Sequence, residues 1–141
     1  MAIHIQNEPD APGKDLLHVI QNLERYNTEQ SSAPFQRRTL RLFARDDDGR
    51  IMGGLFAQVT MGWLAIQILW LEDELRGKGV GRQLLEEAEG LAKESEAIGA
   101  YVETTNFQAR PFYEGMGYVL FAELEDCPPG DVTYFLKKRW S

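Results

Sequence analysis

Arg76-Gly77-Lys78-Gly79-Val80-Gly81-Arg82 joins an apolar run, Trp63 to Leu71, to a segment of helical periodicity. The run before it is rich in β-branched and aromatic residues, which predicts a buried strand. After it, Val80, Leu84, Leu85, Ala88, Leu91 and Ala92 recur at helical spacing. A glycine-rich turn therefore delivers the chain into a helix N-terminus, where unpaired N–H groups and the positive dipole end attract an anion. Gly79 and Gly81 carry no side chain, so a phosphate can come close to those N–H groups. Arg76, Lys78 and Arg82 add positive charge around the same turn. An ordinary strand-turn-helix corner is the plain alternative, and this concentration of glycine and cation disfavours it. The stretch predicts a pyrophosphate cradle.

Two nucleotide-binding patterns fail here. The Walker loop needs Lys followed by Ser or Thr after its last glycine, and neither follows Gly81. The dinucleotide fingerprint fits Gly77 and Gly79 but meets Arg82 where its third glycine belongs. It should also open a parallel βαβ unit, whereas the strands before Arg76 read as an antiparallel meander.

The residues instead resemble the signature of the GNAT N-acetyltransferases, Gln/Arg-x-x-Gly-x-Gly/Ala, with Arg76, Gly79 and Gly81 in its fixed places. A second block, Asn106-Phe107-Gln108-Ala109-Arg110-Pro111-Phe112-Tyr113-Glu114-Gly115-Met116-Gly117-Tyr118, is similar to the family's Asn-x-x-Ala-x-x-Phe/Leu-Tyr-x-x-x-Gly-Phe/Tyr. The resemblance is clear from about Arg37 to Leu136. It implies an α/β (α+β) fold with a mixed, mostly antiparallel central sheet, whose splayed parallel strands are flanked by helices and admit acetyl-CoA into a V. One domain over residues 1–141 is expected.

Composition agrees with a folded domain. The chain has 141 residues, 43% hydrophobic and 26% charged, enough to bury roughly 70% of the unfolded surface in one core. No apolar run reaches membrane-spanning length, and Met1 to Gln6 lacks the pattern of a signal peptide. A net charge of −7 disfavours general nucleic-acid binding. The lone Cys127 cannot form an internal disulfide, so a cytoplasmic location is expected. His4 and His18 lie outside both motifs and stand in no metal-ligand spacing, so no metal is expected.

The pass along the chain predicts a strand at Ile3–Gln6, an amphipathic helix from Lys14 to about Tyr26, and a loop at Ser31, Ser32 and Pro34. Thr39–Arg45, Ile51–Thr60 and Trp63–Leu71 form the meander, joined through Asp46-Asp47-Asp48-Gly49 and Met61-Gly62. The motif helix should run from Gly79 to Ala97, with Gly99 as its stop. Ala100–Thr105, reached by a helical crossover, should lie parallel to Trp63–Leu71. A short helix at Ala109–Met116 and a closing pair, Gly117–Leu124 and Val132–Lys138, complete the order.

The resemblance also assigns roles. The Arg76–Arg82 turn, Gly77 included, would hold the pyrophosphate through backbone N–H groups of Lys78, Gly79, Val80, Gly81 and Arg82. The strand end Leu69-Trp70-Leu71 would bind the pantetheine arm and polarise the thioester carbonyl. Trp70 stands where a small residue is common; its ring would pack in the core, the expected role, or shape the acyl site. Asp73 replaces a frequent proline and puts the local loop geometry in question. Asn106 would bond the pantetheine arm, its plain alternative being a turn cap, and Phe112 would line the site. Tyr113 would act as acid toward the leaving sulfur, because a phenol with a pKa of about 10 is protonated at neutral pH; packing on a helix face is its alternative. Glu72 and Glu103 are candidate bases for the attacking amine, each otherwise a solvated or structural charge.

The implied activity is acetyl transfer from acetyl-CoA to a primary amine by direct attack in a ternary complex. Cys127, in the loop Asp126-Cys127-Pro128-Pro129-Gly130 with no nearby histidine, is not expected to act as a nucleophile. A non-catalytic acyl-CoA sensor or partner subunit is the competing class, and Tyr113 favours the enzyme. The acceptor is expected to meet loops at Glu24–Phe35 and Glu125–Val132, where Glu24, Glu29, Glu125, Asp126 and Asp131 would form an acidic rim for a cationic amine. A homodimer is allowed; no nucleic acid or membrane partner is expected.

Overall fold

The computed structural model describes residues 1–32 and 37–141. These form two compact units, one carrying the N-terminal helix and the other carrying the sheet and the remaining helices. In the first unit, α1 spans Gly13–Gln30, extending the expected helix at both ends. Ile3–Gln6 is not a strand. Ile3 and Ile5 are exposed, and a short extended segment without a ladder partner has nothing to hold it. Pro34 of the expected loop lies outside the described residues.

The second unit runs β1 (Arg37–Arg45), β2 (Ile51–Thr60), β3 (Trp63–Leu71), a 3-10 turn (Asp73–Leu75), α2 (Val80–Glu94), β4 (Gly99–Thr105), α3 (Arg110–Gly115), β5 (Val119–Glu125) and β6 (Val132–Arg139). Its six-stranded sheet has the order β1-β2-β3-β4-β6-β5. Every neighbouring pair is antiparallel except β3 and β4, which the α2 crossover makes parallel. The expected mixed, mostly antiparallel sheet flanked by helices is therefore present.

Local chemistry sets the corners. Asp46 accepts the N–H of Arg50 at 2.9 Å and that of Asp48 at 3.0 Å, closing the β1–β2 turn. The Arg50 N–H, more than its charge, holds the Asp46 carboxyl below its ordinary pKa. Met61 and Gly62 both take positive φ, which suits a two-residue hairpin. α2 lays Leu85, Ala88 and Ala92, all fully buried, on Leu55, Ala57, Leu64 and Ile66 of the sheet. Sidedness of this kind, with roughly 1.5–3 kcal/mol from each large buried side chain, makes the helix a fixed support for its own N-terminus.

α2 ends earlier than its periodicity predicts. The last helical residue is Glu94, and Glu96 takes the left-handed conformation at φ 65°. Gly99 is no helix stop; it opens β4, where an added Cβ would lie 2.6 Å from Lys138 O and from Trp63 Cζ3. Close strand packing is what requires glycine there.

Candidate active site

β3 and β4 pair only from Trp63↔Gly99 to Ile66↔Val102. Immediately beyond, the β2–β3 register slips between Phe56↔Ile68 and Ala57↔Ile66, so Gln67 has no partner on β2. A bulge of this kind bends a strand and increases its twist. Ile68–Leu71 on β3 and Glu103–Thr105 on β4 thus lie past the end of the shared ladder, and β4 continues with β6 alone as far as Thr105↔Thr133. The sheet is split at its centre, and backbone groups along the split have no β3–β4 partner.

The bulge also reverses which side chains face the core. Leu64 and Ile66 are buried before it, and Leu69 and Leu71 pack against the core after it. Trp70 is consequently 48% exposed, which corrects its expected core role. It lines an apolar groove of about 240 Å³ with Phe43, Phe56 and Ile68.

Beside the split stands the glycine turn. Gly77 and Gly79 sit at φ 76° and φ 82° with nothing within 4 Å of an added Cβ, so conformation alone demands glycine there. Gly79 is the N-cap of α2, no side chain caps the helix, and its first turn holds no acidic residue. Among the described residues, the N–H groups of Gly77, Gly79, Val80, Gly81 and Arg82 have no partner within the chain. Lys78 departs from expectation, because its N–H donates to Leu75 O at 3.3 Å and leaves only its exposed side chain for a phosphate. Arg76 pairs with Asp73 at 3.3 Å and Arg82 with Glu86 at 3.5 Å. Both pairs are exposed, hold little energy, and can be given up to an anion.

Gly81 has a different reason to be glycine. An added Cβ would lie 3.4 Å from Leu71 Cδ1 and 3.4 Å from Phe112 Cε1. The end of β3, the start of α2 and the second motif therefore meet at this residue, and its missing side chain allows the contact. The unpartnered N–H groups of the turn fit a pyrophosphate. Thr105 Oγ1, at the end of β4, is a buried hydroxyl without a hydrogen-bond partner, the kind of group a bound ligand satisfies.

Tyr113 is 4% exposed on α3. Its ring meets Phe112 and Tyr118 edge-on, with centroids 5.1 and 5.7 Å away. Its hydroxyl makes no hydrogen bond among the described residues, and burial pushes its pKa up to about 12. This has a stability consequence. An unfolded phenol ionises near 10, so between about pH 10 and pH 12 the unfolded state loses its proton first and stability falls as pH rises. Tyr113→Phe is expected to lessen the drop in Tm between about pH 9 and pH 11. An unchanged drop would place the phenol in a solvated setting.

Asn106 is exposed and its N–H donates to Val132 O at 3.0 Å, while its amide has no partner among the described residues. The turn that was its alternative capping site is held instead by Thr104 and Gln108. Gln108 Oε1 accepts the Thr105 N–H at 2.9 Å and the Thr104 hydroxyl at 3.1 Å, and Thr104 Oγ1 accepts the Ala109 N–H at 3.2 Å. A threonine and a glutamine flanking a strand end were the available signal.

Glu103 is the first β4 residue beyond the last β3 pair, so it stands at the apex of the split. It is exposed, on the face opposite α2. Glu72 is also exposed; its N–H donates to Met52 O at 2.8 Å, continuing the β2 ladder. Neither carboxylate forms an ion pair among the described residues. Of the expected acidic rim, Glu125, Asp126 and Asp131 bracket the β5–β6 turn, and Glu24 and Glu29 belong to α1. Among the described residues, no acidic, histidine or cysteine cluster could hold a metal ion, and no helix is long and apolar enough to cross a membrane.

A statistical description of the acetyltransferase (GNAT) family matches residues 11–118. Blasticidin-S acetyltransferase of Streptomyces morookaense is 40% identical over 98 residues, 69% of this chain and 72% of that protein. The crystal structure of an Agrobacterium tumefaciens acetyltransferase superposes with a TM-score of 0.85 at 29% identity, covering 99% of each chain. A streptothricin acetyltransferase of Bacillus anthracis, solved with acetyl coenzyme A, has a TM-score of 0.66 at 21% identity, covering 81% of this chain and 68% of its own. At that identity the likeness speaks for the fold alone. With a split sheet, an uncapped glycine turn and these relatives, the chain belongs to the GNAT family of acetyltransferases and is an acyltransferase enzyme.

Proposed function

We propose that this enzyme transfers an acetyl group from acetyl-CoA to a primary amine by direct attack in a ternary complex. The observation that carries the proposal is the run of unpartnered N–H groups at Gly79–Arg82, set beside a sheet split that begins at Ile66↔Val102. The pyrophosphate would take those N–H groups, with Arg76, Lys78 and Arg82 as counter-charges. The pantetheine arm would enter the split and bond the free backbone edge of Leu69-Trp70-Leu71, with Asn106 as a side-chain partner. An N–H of that edge would receive the charge developing on the thioester oxygen.

The two faces of the sheet then divide the work. Tyr113 packs on the face of α2, where the phosphate end arrives, and Glu103 lies on the opposite face. An amine approaching from the Glu103 side attacks the carbonyl carbon, forming the C–N bond and a tetrahedral oxyanion whose collapse breaks the C–S bond. The amine's proton leaves toward Glu103 or water, and the departing thiolate sulfur accepts a hydrogen bond from the Tyr113 hydroxyl. Glu72, beyond the strand end and engaged at its backbone, is the weaker base candidate.

The blasticidin-S acetyltransferase relative favours a small-molecule acceptor over a protein side chain. Glu125, Asp126 and Asp131 favour one that is cationic before it loses its proton. The test is thiol release from acetyl-CoA across a panel of amines at several salt concentrations. A small cationic amine should serve best, with a KM that rises with salt as exposed charges are screened over about 10 Å at 0.1 M. A neutral acceptor used best without salt dependence would overturn the acceptor class alone. Tight coenzyme A binding with no thiol release for any amine would point to a sensor.

A further inference from the structure

Glu89 is a charged residue that the proposed reaction does not use, yet it is 5% exposed in the middle of α2. The Tyr118 hydroxyl donates to its Oε2 at 2.7 Å, and Lys138 Nζ donates to its Oε1 at 3.0 Å. The same ammonium lies 5.7 Å from the centroid of the Tyr118 ring. Lys138 reaches this position over Gly117, where an added Cβ would stand 3.6 Å from Lys138 Cε. One buried cluster thus fastens α2, the α3–β5 link and β6 together.

This cluster ends on Tyr113. The Tyr118 ring meets the Tyr113 ring at 5.7 Å and 68°, and the Tyr118 N–H donates to Tyr113 O at 3.0 Å. The two phenols differ in one respect. Tyr118 donates its hydroxyl hydrogen bond to a buried carboxylate, while the Tyr113 hydroxyl has no partner among the described residues. An aromatic ring can hold its neighbour's edge only if it is itself fixed, and a charge-assisted hydrogen bond at the far end fixes it.

We propose that Glu89, Tyr118 and Lys138 are positioning residues, a buried strut that holds the Tyr118 ring so that the free Tyr113 hydroxyl stays aimed at the leaving sulfur. The proposal rests on the acid role given to Tyr113 above. The ordinary alternative is a cluster that only stabilises the fold. A double-mutant cycle separates them. Tyr118→Phe keeps the ring and removes its anchor, so kcat should fall about tenfold through misalignment, with the KM for acetyl-CoA unchanged. In a Tyr113→Phe background, which has no hydroxyl to aim, the same change should leave kcat within about twofold. Wild-type kcat in Tyr118→Phe, or the same loss in both backgrounds, would overturn the proposal. If Tyr118→Phe does not fold, Lys138→Met is read through the same cycle.

Nuclear magnetic resonance of carbon-labelled tyrosine gives a readout that does not depend on turnover. Tyr113 should show one sharp set of ring signals in the wild type with coenzyme A, and shifted or broadened signals in Glu89→Gln and Tyr118→Phe. Unaltered Tyr113 signals in both variants would also overturn it. Full activity of Tyr113→Phe, by contrast, would remove the acid role itself.

Discussion

Tyr113→Phe is expected to lower kcat by about ten- to a hundredfold while the KM for acetyl-CoA stays within about twofold. The substitution deletes one hydroxyl and keeps the ring contacts with Phe112 and Tyr118. The size follows from what the hydroxyl can do. Burial pushes its pKa up to about 12, above the value of about 8.5 typical of a thiol. Complete proton transfer to a free thiolate is therefore uphill, and the larger part of the effect must come from a hydrogen bond to the sulfur as charge builds. A bond to a charged group is worth about 1.5–3 kcal/mol, which sets the range. The raised pKa also keeps the hydroxyl protonated through the usual assay range. Any alkaline limb near pH 8–9 in kcat/KM must then belong to another group and should persist in the variant. Undiminished kcat in a folded Tyr113→Phe would leave this residue as packing.

What was legible in the sequence was local. Gly77 and Gly79 announce a turn that glycine adopts most readily, and both sit at positive φ. The α2 stripe and the short-turned meander are likewise properties of neighbouring residues. The bulge at Gln67 is different in kind, because it exists only in the register between β2 and β3. Alternation read through it assigns Trp70 to the core, and the slip of one residue puts Leu69 and Leu71 there instead. Glu89 was illegible for a similar reason. Within Glu86-Glu87-Ala88-Glu89 it looks like part of a solvated helix face, and only Tyr118 and Lys138, distant in sequence, show that it is buried. Asparagine favours a capping role, yet at this turn Gln108 and Thr104 fill it through contacts that span the turn.

Gly79 and Gly81 occupy equivalent places in the sequence motif, and their substitutions should fail in different ways. Gly79 holds φ 82° at the N-cap of α2 with open space around it. Valine there meets no neighbour but strains the left-handed conformation by about 1–2 kcal/mol, and relaxing that strain turns the following N–H groups away. Losing aim on one such bond to a phosphate costs about 1.5–3 kcal/mol, so coenzyme A affinity should fall ten- to a hundredfold, measured by calorimetry. Gly81 faces inward instead, and valine there would drive methyl groups into Leu71 and Phe112 beyond the 3.4 Å contacts that a Cβ alone would make. Overpacking of that kind costs roughly 1–3 kcal/mol of folding stability. The Tm should therefore drop for Gly81→Val at least as far as for Gly79→Val, with the larger loss of affinity at Gly79. Unchanged coenzyme A binding in a folded Gly79→Val would show that the pyrophosphate does not sit on this turn.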